Sequence, residues 1–350
     1  MHFAYNSLVA IIAAANSVDG GNSSRRTVAE TSAQLQFTEE SAGDFILNHF
    51  RSGDPAANNI EFRNIVASSH ECLKRFTNGH KLGTHNNKPL VPDSGLILSS
   101  GNPYEFISGG GDQSDGSSTN WYSYGDNELT ALLQQTNPYA YTMDACKVQF
   151  ELRCVGSTNQ PARLSFNYMF GSEEYYEYDN SPYTDSFAFF LDGENMAKLP
   201  DGETRVGITT VNSNVNNEYF IGNDVSDPLG VQYPQIEADG FTTQFTAEGN
   251  VNLNEWTTMK IVIADVGDRL IDSWVLVEGG TLSCAANLES TVSPTKVPTS
   301  KPTSKSPTPL PTVQPTTKSP TEAPTPMPTA AVEFEGSATT APTSQPQCSK

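Results

Sequence analysis

The sequence predicts an all-β protein: an antiparallel, jelly-roll-like β-sandwich with one or two short helices, followed by a disordered C-terminal tail. Between about Leu35 and Cys284, short apolar or alternating segments recur with turn-forming residues between them. These segments lack the regular succession of strand and helix that marks a parallel α/β sheet. After Ser290, prolines occur every few residues, which neither a helix nor a central strand tolerates.

The individual strands are predicted from hydrophobic periodicity. Residues 163–170 alternate, and the side chains on one face are Leu164, Phe166, Tyr168 and Phe170. Residues 146–154 alternate in the same way. Further apolar runs typical of buried strands occupy residues 186–191, 259–264 and 274–278. The best helix candidates are residues 42–50 and 127–134.

Composition divides the chain into five segments. Residues 1–15 resemble a secretory signal peptide, because an apolar run too short to span a bilayer leads to Ala13 and Ala15, which fit the small-x-small cleavage pattern. A buried N-terminal strand or helix is the alternative. The other segments are a linker at 16–34, the β-sandwich domain at 35–290, a Pro/Thr/Ser-rich spacer at 291–330 and a disordered tail at 331–350.

The spacer and the linker carry the expected sites of glycosylation. The proline spacing in the spacer favours extended polyproline II, and its Ser and Thr content is typical of O-glycosylated stalks. Plain disorder without a role is the alternative. Asn22 begins the one Asn-x-Ser/Thr pattern, and it is the candidate for N-glycosylation. No membrane span is expected apart from the signal peptide, so the protein is predicted to be secreted and extracellular, in association with a cell wall or surface.

Charge limits the class of partner. The chain has 40 acidic and 20 basic side chains and a net charge of −20. From Thr291 onward five Lys exceed three Glu by two, so the first 290 residues carry −22. Such a domain repels phosphate backbones, which excludes nucleic acid, and it is poorly suited to anionic membrane surfaces. The expected partners are extracellular matrix, cell-wall glycans or surface proteins.

Five cysteines fit an oxidising compartment. If residues 146–154 form one strand, Cys146 and Cys154 lie ~26 Å apart and cannot pair with each other. Each would then need Cys72, Cys284 or Cys348, and one thiol is left over. No Cys-x-x-Cys spacing of a zinc site is present.

Two acidic segments at the ends of predicted strands form the candidate ion site. Carboxylates so close together repel one another unless a cation neutralises them, and Ca²⁺ takes about six to eight oxygen ligands from loops of this kind. The candidate metal ligands are Glu173, Glu174, Asp185, Asp265, Asp268 and Asp272. Solvated turn acids are the alternative. The loop at 109–116 lacks the EF-hand pattern and is predicted to be a flexible loop.

Catalytic chemistry is not expected. All five His lie at or before residue 85, and no Gly-x-Ser-x-Gly motif is present, so a Ser-His-Asp triad is excluded. A glycosidase needs two carboxyl groups ~5–10 Å apart, a role that remains open for Glu174 with Asp185 or Asp272.

Two loops are rich in aromatic residues: Tyr175, Tyr176, Tyr178 and Tyr183 in one, and Trp121, Tyr122 and Tyr124 in the other. Exposed aromatic rings beside a cation can hold sugar rings, whereas core packing is the ordinary alternative.

Two specific motifs are Phe-Gly-Ser-Glu-Glu-Tyr at 170–175 and Ala-Asp-Val-Gly-Asp at 264–268. Further motifs occupy residues 94–101, 125–132, 143–152, 185–191 and 240–243. Taken together in their order along the chain, these motifs resemble the choice-of-anchor L domain of secreted, surface-anchored bacterial proteins, and the resemblance covers about residues 35–284.

The resemblance implies an extracellular β-rich module without established enzymatic activity, followed by a variable anchor. It marks as family positions Gly171, Ser172, Glu173, Glu174, Asp185, Asp265, Gly267, Asp268 and Asp272. This chain departs from the family in its C-terminal part, where the spacer resembles those of wall and secreted proteins of unicellular algae.

Three functional hypotheses follow. The first is a non-enzymatic, Ca²⁺-stabilised module in adhesion or matrix association. The second is a Ca²⁺-dependent carbohydrate-binding domain for wall polysaccharide, which an aromatic platform beside the ion would favour. The third is a secreted hydrolase that uses the acidic clusters, which a cleft joining Glu174 to a distant carboxylate would favour.

Overall fold

Two antiparallel sheets packed face to face form the framework of the described part of the protein in the computed structural model. The structure describes residues 35–54, 59–69, 71–107, 118–157, 161–226, 230 and 232–286. These belong to the first of two units of the chain, residues 1–291. The predicted signal peptide, Asn22, the loop at 109–116, Cys348, the spacer and the tail lie outside the described residues, so the predictions for them stand as predictions.

Sixteen strands and two α-helices are present in the described part of the chain. The strands are β1 (Gln36–Thr38), β2 (Ile60–Ala67), β3 (Leu73–Thr77), β4 (Thr84–His85), β5 (Lys88–Pro89), β6 (Gly95–Ser99), β7 (Thr142–Cys154), β8 (Pro161–Ser172), β9 (Ser186–Leu191), β10 (Glu194–Asn195), β11 (Phe220–Gly222), β12 (Gly240–Thr242), β13 (Phe245–Asn252), β14 (Thr257–Val266), β15 (Ser273–Glu278) and β16 (Ser283–Ala286). The α-helices are α1 (Ala42–Asn48) and α2 (Asn127–Leu133), and 3₁₀ turns occupy Gly79–Leu82, Pro103–Ile107 and Asn217–Tyr219.

The larger sheet has nine strands, and its main order is β1-β3-β6-β15-β8-β12-β11. Strands β13 and β16 also pair with the long central strand β8. The smaller sheet has five strands in the order β10-β9-β14-β7-β2, and β4 and β5 form a separate hairpin. All of these strand pairs are antiparallel, which confirms the predicted all-β class.

The core between the sheets follows from alternation along the strands. The predicted face of β8 is buried there, with Leu164, Phe166, Tyr168 and Phe170 all at most 1% exposed. Aromatic rings from both sheets interlock: the Tyr168 ring centroid lies 4.7 Å from that of Phe189 on β9, and the Phe170 ring stacks on Phe187 at 4.8 Å. Burial of such large rings is the main stabilising contribution to a domain of this type.

The outer face of the smaller sheet is covered by α2. On β14 the inward side chains are Met259, Ile261 and Ile263, whereas Val262 and Ala264 pack outward with Leu129 of the helix. Asp126 caps this helix by accepting from the backbone N–H groups of Glu128 and Leu129, each at 3.1 Å. Burial alone would raise the pKa of Asp126, but hydrogen bonds from Lys147 and Lys260 lower it to about 2.

Two disulfides join the sheets, Cys72–Cys146 and Cys154–Cys284. Both Cys146 and Cys154 lie on β7 of the smaller sheet, and Cys284 lies on β16 of the larger one. The prediction that Cys146 and Cys154 share a strand and cannot pair with each other is confirmed.

The predicted strands lie within observed ones, whereas both predicted helices extend past the observed C-terminal ends. The helix predicted at 42–50 ends at Asn48, because Phe50 and Ser52 exchange backbone hydrogen bonds with Leu282 instead. No helix in the described residues combines the length and apolar character that crossing a membrane would require.

Candidate functional site

Three of the predicted site residues lie where strands of the larger sheet end. β8 ends at Ser172, so Glu173 and Glu174 lie in the following turn, and Asp272 comes directly before β15. The two strands pair through Ser172 and Ser273. The backbone N–H of Glu173 donates to the Asp272 carbonyl oxygen at 3.2 Å, which fixes the turn after β8 against the start of β15.

Two more predicted residues come from the smaller sheet. The pairing of β14 with β9 ends at Ala264 and Ser186, and the adjoining residues are Asp265 and Asp185. The backbone N–H of Asp185 donates to Glu174 Oε2 at 2.7 Å. The two sheets therefore bring their acidic residues together at one end of the sandwich.

Ser100, directly after β6, joins the two groups of acids. Its hydroxyl donates to Asp185 Oδ2 at 2.9 Å and accepts from the backbone N–H of Ser273 at 3.0 Å. Ser100 belongs to the 94–101 motif, although the sequence reasoning assigned it no role in the site.

Five of the six predicted ligands are buried, whereas one is exposed. The buried five, Glu173, Glu174, Asp185, Asp265 and Asp272, are at most 6% exposed, which excludes the alternative that they are solvated turn acids. Asp268 is exposed, and its carboxylate accepts from the backbone N–H of Leu270 at 3.0 Å. Its charge is near enough to raise the pKa of Glu174.

Asp144 belongs to this site, and the sequence reasoning missed it as a candidate ligand. It is fully buried within β7 and has a φ of +46°, an uncommon backbone conformation for a non-glycine residue. Its carboxylate accepts from the backbone N–H groups of Trp121 and Ser123, and the Arg269 Nε lies 3.3 Å from Oδ2. The one available signal was the Met-Asp-Ala motif at 143–145, in which Asp144 is in phase with the apolar positions of the alternating strand.

The Asp272 carboxylate is held by backbone groups. It accepts from the N–H of Asn102 at 3.1 Å and from that of Thr119 at 3.0 Å. Gly101 makes this approach feasible, because a Cβ atom at that position would lie 1.9 Å from Asp272 Oδ2.

Burial is the main cause of the electrostatic strain in this cluster. It raises the pKa values of Glu174 and Asp185 well above the ordinary range, and the charge of Asp185 raises that of Glu174 further. Burial and then the charge of Asp185 raise the pKa of Asp265 to about 11. Burial also raises the pKa of Asp272 to about 7, although the hydrogen bonds from Thr119 and Asn102 oppose the shift.

Within the described part of the chain, Asp265 has a carboxylate oxygen without a hydrogen-bond partner. Asp265 Oδ1 is buried and accepts from no donor among the described residues. No group of three or more His, Cys, Asp or Glu side chains in the described residues has an arrangement that could hold a metal ion. The carboxylates of the cluster instead bind serine hydroxyls and backbone N–H groups.

Two cavities in the described part of the chain lie away from the acidic cluster. One of about 1140 Å³ borders the edge strand β13 and is lined by residues that include His85, Arg163, Met196 and Glu248. Another, of about 410 Å³, is lined by Asp192 and Trp256 among others. None of the six predicted ligands lines either cavity, so neither is a cleft of the kind that the hydrolase hypothesis requires.

The aromatic-rich loops divide between core and surface. Tyr175 is fully buried, with its ring centroid 4.8 Å from that of Phe220. The exposed rings of the two loops are Tyr122, Tyr124, Tyr176, Tyr178 and Tyr183, and Tyr139 and Tyr141 of a third segment are exposed as well. Exposed tyrosines therefore lie in chain segments that adjoin the buried acids.

Comparison with known proteins gives one match. A model of the family described as Choice-of-anchor L domain matches residues 38–283. The match includes every residue of the acidic cluster and the Cys72–Cys146 disulfide, and it ends one residue before Cys284. Neither the curated proteins nor the solved structures gave a match. The family is of a non-catalytic, anchor type, and it indicates a surface-anchored or secreted module.

Proposed function

Because the chain belongs to the choice-of-anchor L domain family, we propose that it is a secreted or cell-surface module without enzymatic activity, acting in adhesion or extracellular-matrix association. We further propose that Ca²⁺ stabilises the fold by binding the buried carboxylates Glu173, Glu174, Asp185, Asp265 and Asp272, with the exposed Asp268 at the margin of the site. A cell wall or matrix outside the cell is the proposed location.

The observation that supports a cation is the burial of these carboxylates together with Asp144. Arg269 contacts Asp144, and among the described residues no Lys, Arg or His forms an ion pair with Glu174, Asp185, Asp265 or Asp272. Burial and then neighbouring carboxylates raise the pKa values of four of them, so without a cation these acids take up protons. A hard divalent cation would replace those protons at the pH of most extracellular fluids.

Asp265 provides the second support. Its Oδ1 atom is buried and has no donor, so it can take a cation without losing a hydrogen bond. Other carboxylates would have to rotate away from their serine and backbone donors. The ligand set would be assembled from oxygen atoms alone, which suits Ca²⁺, and extracellular Ca²⁺ at about millimolar level fills even weak sites.

The test is the melting temperature of the full chain in excess EDTA, in about 1 mM CaCl₂ and in about 1 mM MgCl₂. A ligand at about a hundred times its Kd adds about 2.7 kcal/mol, or roughly 5–10 °C for a domain of this size. We expect a rise of this order that is specific to Ca²⁺.

Asp265→Asn should abolish the rise, because an amide oxygen replaces a charged ligand. The matched control is Glu203→Gln, which removes one negative charge from an exposed turn and should keep the full rise. A wild-type melting temperature that is equal in EDTA and CaCl₂ would show that protons alone neutralise the cluster.

A carbohydrate-binding role for wall polysaccharide is the second candidate, and the exposed tyrosines near the acids favour it. The hydrolase hypothesis gains no support from the positions of the cavities.

A further inference from the structure

Two chain segments that carry exposed tyrosines meet a third segment, the loop at 267–271, beside the acidic cluster. The Tyr141 hydroxyl donates to the Gly267 carbonyl oxygen at 2.5 Å, and the Gly267 N–H donates to the Tyr141 carbonyl oxygen at 3.1 Å. Gly267 packs on the ring of Tyr183, since a Cβ atom there would lie 3.1 Å from the ring. The side-chain amide of Asn137 donates to the Pro182 carbonyl oxygen at 3.0 Å, which brings the 137–141 segment to the 182–183 turn.

A fourth segment extends the same surface. Tyr124 forms an antiparallel bridge with Met143 at the start of β7, close to Tyr141 in sequence. The Arg269 guanidinium contacts the Ser123 carbonyl oxygen at 3.4 Å, so the loop at 267–271 also touches the 121–124 segment. These contacts define a tyrosine surface, whose residues are Tyr122, Tyr124, Tyr139, Tyr141 and Tyr183.

The rings of the tyrosine surface are held out to solvent. Tyr124 is 95% exposed, Tyr122 is 82% exposed and Tyr139 is 79% exposed. Tyr122 has a φ of +53°, a conformation that costs on the order of 1 kcal/mol for a bulky residue. Its backbone N–H donates to Asn120 Oδ1 at 3.0 Å, which holds this backbone in place. Folding therefore maintains an exposed aromatic ring at some energetic cost, which is typical of a binding surface.

The chemistry of the surface selects among ligands. Leu270, 57% exposed, is the one large aliphatic side chain with high exposure in these segments, so the surface lacks the apolar centre of a protein interface. Tyrosine rings stack on the C–H faces of sugar rings, and their hydroxyls bond to sugar hydroxyls. The net charge of −22 over the first 290 residues repels anionic polymers.

We infer that the tyrosine surface binds a neutral polysaccharide by stacking sugar rings on Tyr122, Tyr124 and Tyr139. The inference rests on the proposed extracellular function and specifies its ligand class. Sugar binding by these rings does not require the cation to contact the sugar, because the rings lie outside the buried cluster. The cation would act through Gly267 and Arg269, by holding the loop on which Tyr141 and Tyr183 pack.

The test is binding of the full chain to neutral polysaccharides (laminarin, xyloglucan, galactomannan and mannan) and to anionic alginate, measured by affinity electrophoresis with and without CaCl₂. We expect retardation by at least one neutral polymer and none by alginate. Tyr124→Ala with Tyr139→Ala should weaken that binding by about tenfold or more, whereas Tyr124→Phe with Tyr139→Phe should keep most of it, because the rings remain.

The matched control is Val66→Ala, which removes an exposed apolar side chain from β2 and should leave binding unchanged. Melting temperatures of all variants should equal that of the wild type, because the substituted rings are exposed. Retardation by alginate alone, retardation by none of the polymers, or equal binding by the double alanine variant would each overturn the inference. Since the Ca²⁺ proposal is tested by melting temperature, failure of one proposal is distinguishable from failure of the other.

Discussion

Asp272 is the buried acid whose titration has the most accessible consequence, because its pKa is raised to about 7. A carboxyl group whose folded pKa exceeds its unfolded value stabilises the fold while it is protonated, below its ordinary pKa of about 4. This contribution is lost as pH rises through the folded pKa. Asp265, with its pKa raised to about 11, acts in the same direction over a wider range.

We therefore predict that the melting temperature in EDTA falls between about pH 4 and pH 7. Asp265→Asn should reduce the fall, because the neutral amide needs no proton at any pH. Added CaCl₂ should have its largest effect near pH 7, where the ion competes with fewer protons. Thermal unfolding monitored by circular dichroism across this range tests the prediction, and a melting temperature that rises from pH 4 to pH 7 in EDTA would contradict it.

At the scale of elements, the turn that follows β6 positions the acidic cluster. Gly101 lies against the Asp272 carboxylate, and the neighbouring Asn102 donates to it. Gly101→Ala should force the carboxylate away from both backbone donors and leave a buried charge poorly bonded, at a cost of about 1–3 kcal/mol.

The expected result for Gly101→Ala is a lower denaturant midpoint together with a weaker response to CaCl₂. Gly53→Ala is the matched control, since a Cβ atom there meets no heavy atom within 4 Å. An unchanged denaturant midpoint for Gly101→Ala would mean that the turn moves to accommodate the methyl group without displacing the Asp272 carboxylate.

The elements also show what could be predicted from sequence. Alternation predicted β8 and its buried face, because a strand that packs against a core repeats every second residue. The acids at the ends of β8, β9, β14 and β15 could be grouped because antiparallel neighbours bring strand ends together. Asp144 could not be grouped with them from sequence, because it lies within β7 and not at a strand end. It is opposite the register shift between Ile263 and Asp265 in the pairing of β7 with β14.

Other features depended on contacts between distant segments. Neighbouring tyrosines in one loop differ in burial, as the buried Tyr175 and the exposed Tyr176 show, and no local pattern separates them. The cysteine partners likewise required the fold, because sequence excluded the pairing of Cys146 with Cys154 and left the others open. Contacts between segments distant in sequence therefore determine both the burial of each tyrosine and the pairing of the cysteines.

For the whole molecule, the disulfides are expected to contribute much of the stability. They close loops with sequence separations of 74 and 130 residues, which corresponds to about 4–5 kcal/mol each from the lowered entropy of the unfolded chain. Replacing Cys72 and Cys146 by Ala, or Cys154 and Cys284 by Ala, should lower the free energy of unfolding by about this amount. Urea denaturation of the two paired variants tests this, and a wild-type value for either would contradict it.

The same connectivity determines which residues would bear tension if the two ends of the domain were pulled apart. The covalent route from the N-terminal side runs to Cys72, crosses to Cys146, follows β7 to Cys154 and crosses to Cys284. Ser100, Asp144 and four tyrosines of the tyrosine surface lie inside the first closed loop, and Tyr183 and the other acids lie inside the second. A mechanical load would thus pass along the nine residues 146–154 of β7, while the acidic cluster, apart from its link through β7, and the tyrosine surface lie outside this covalent path.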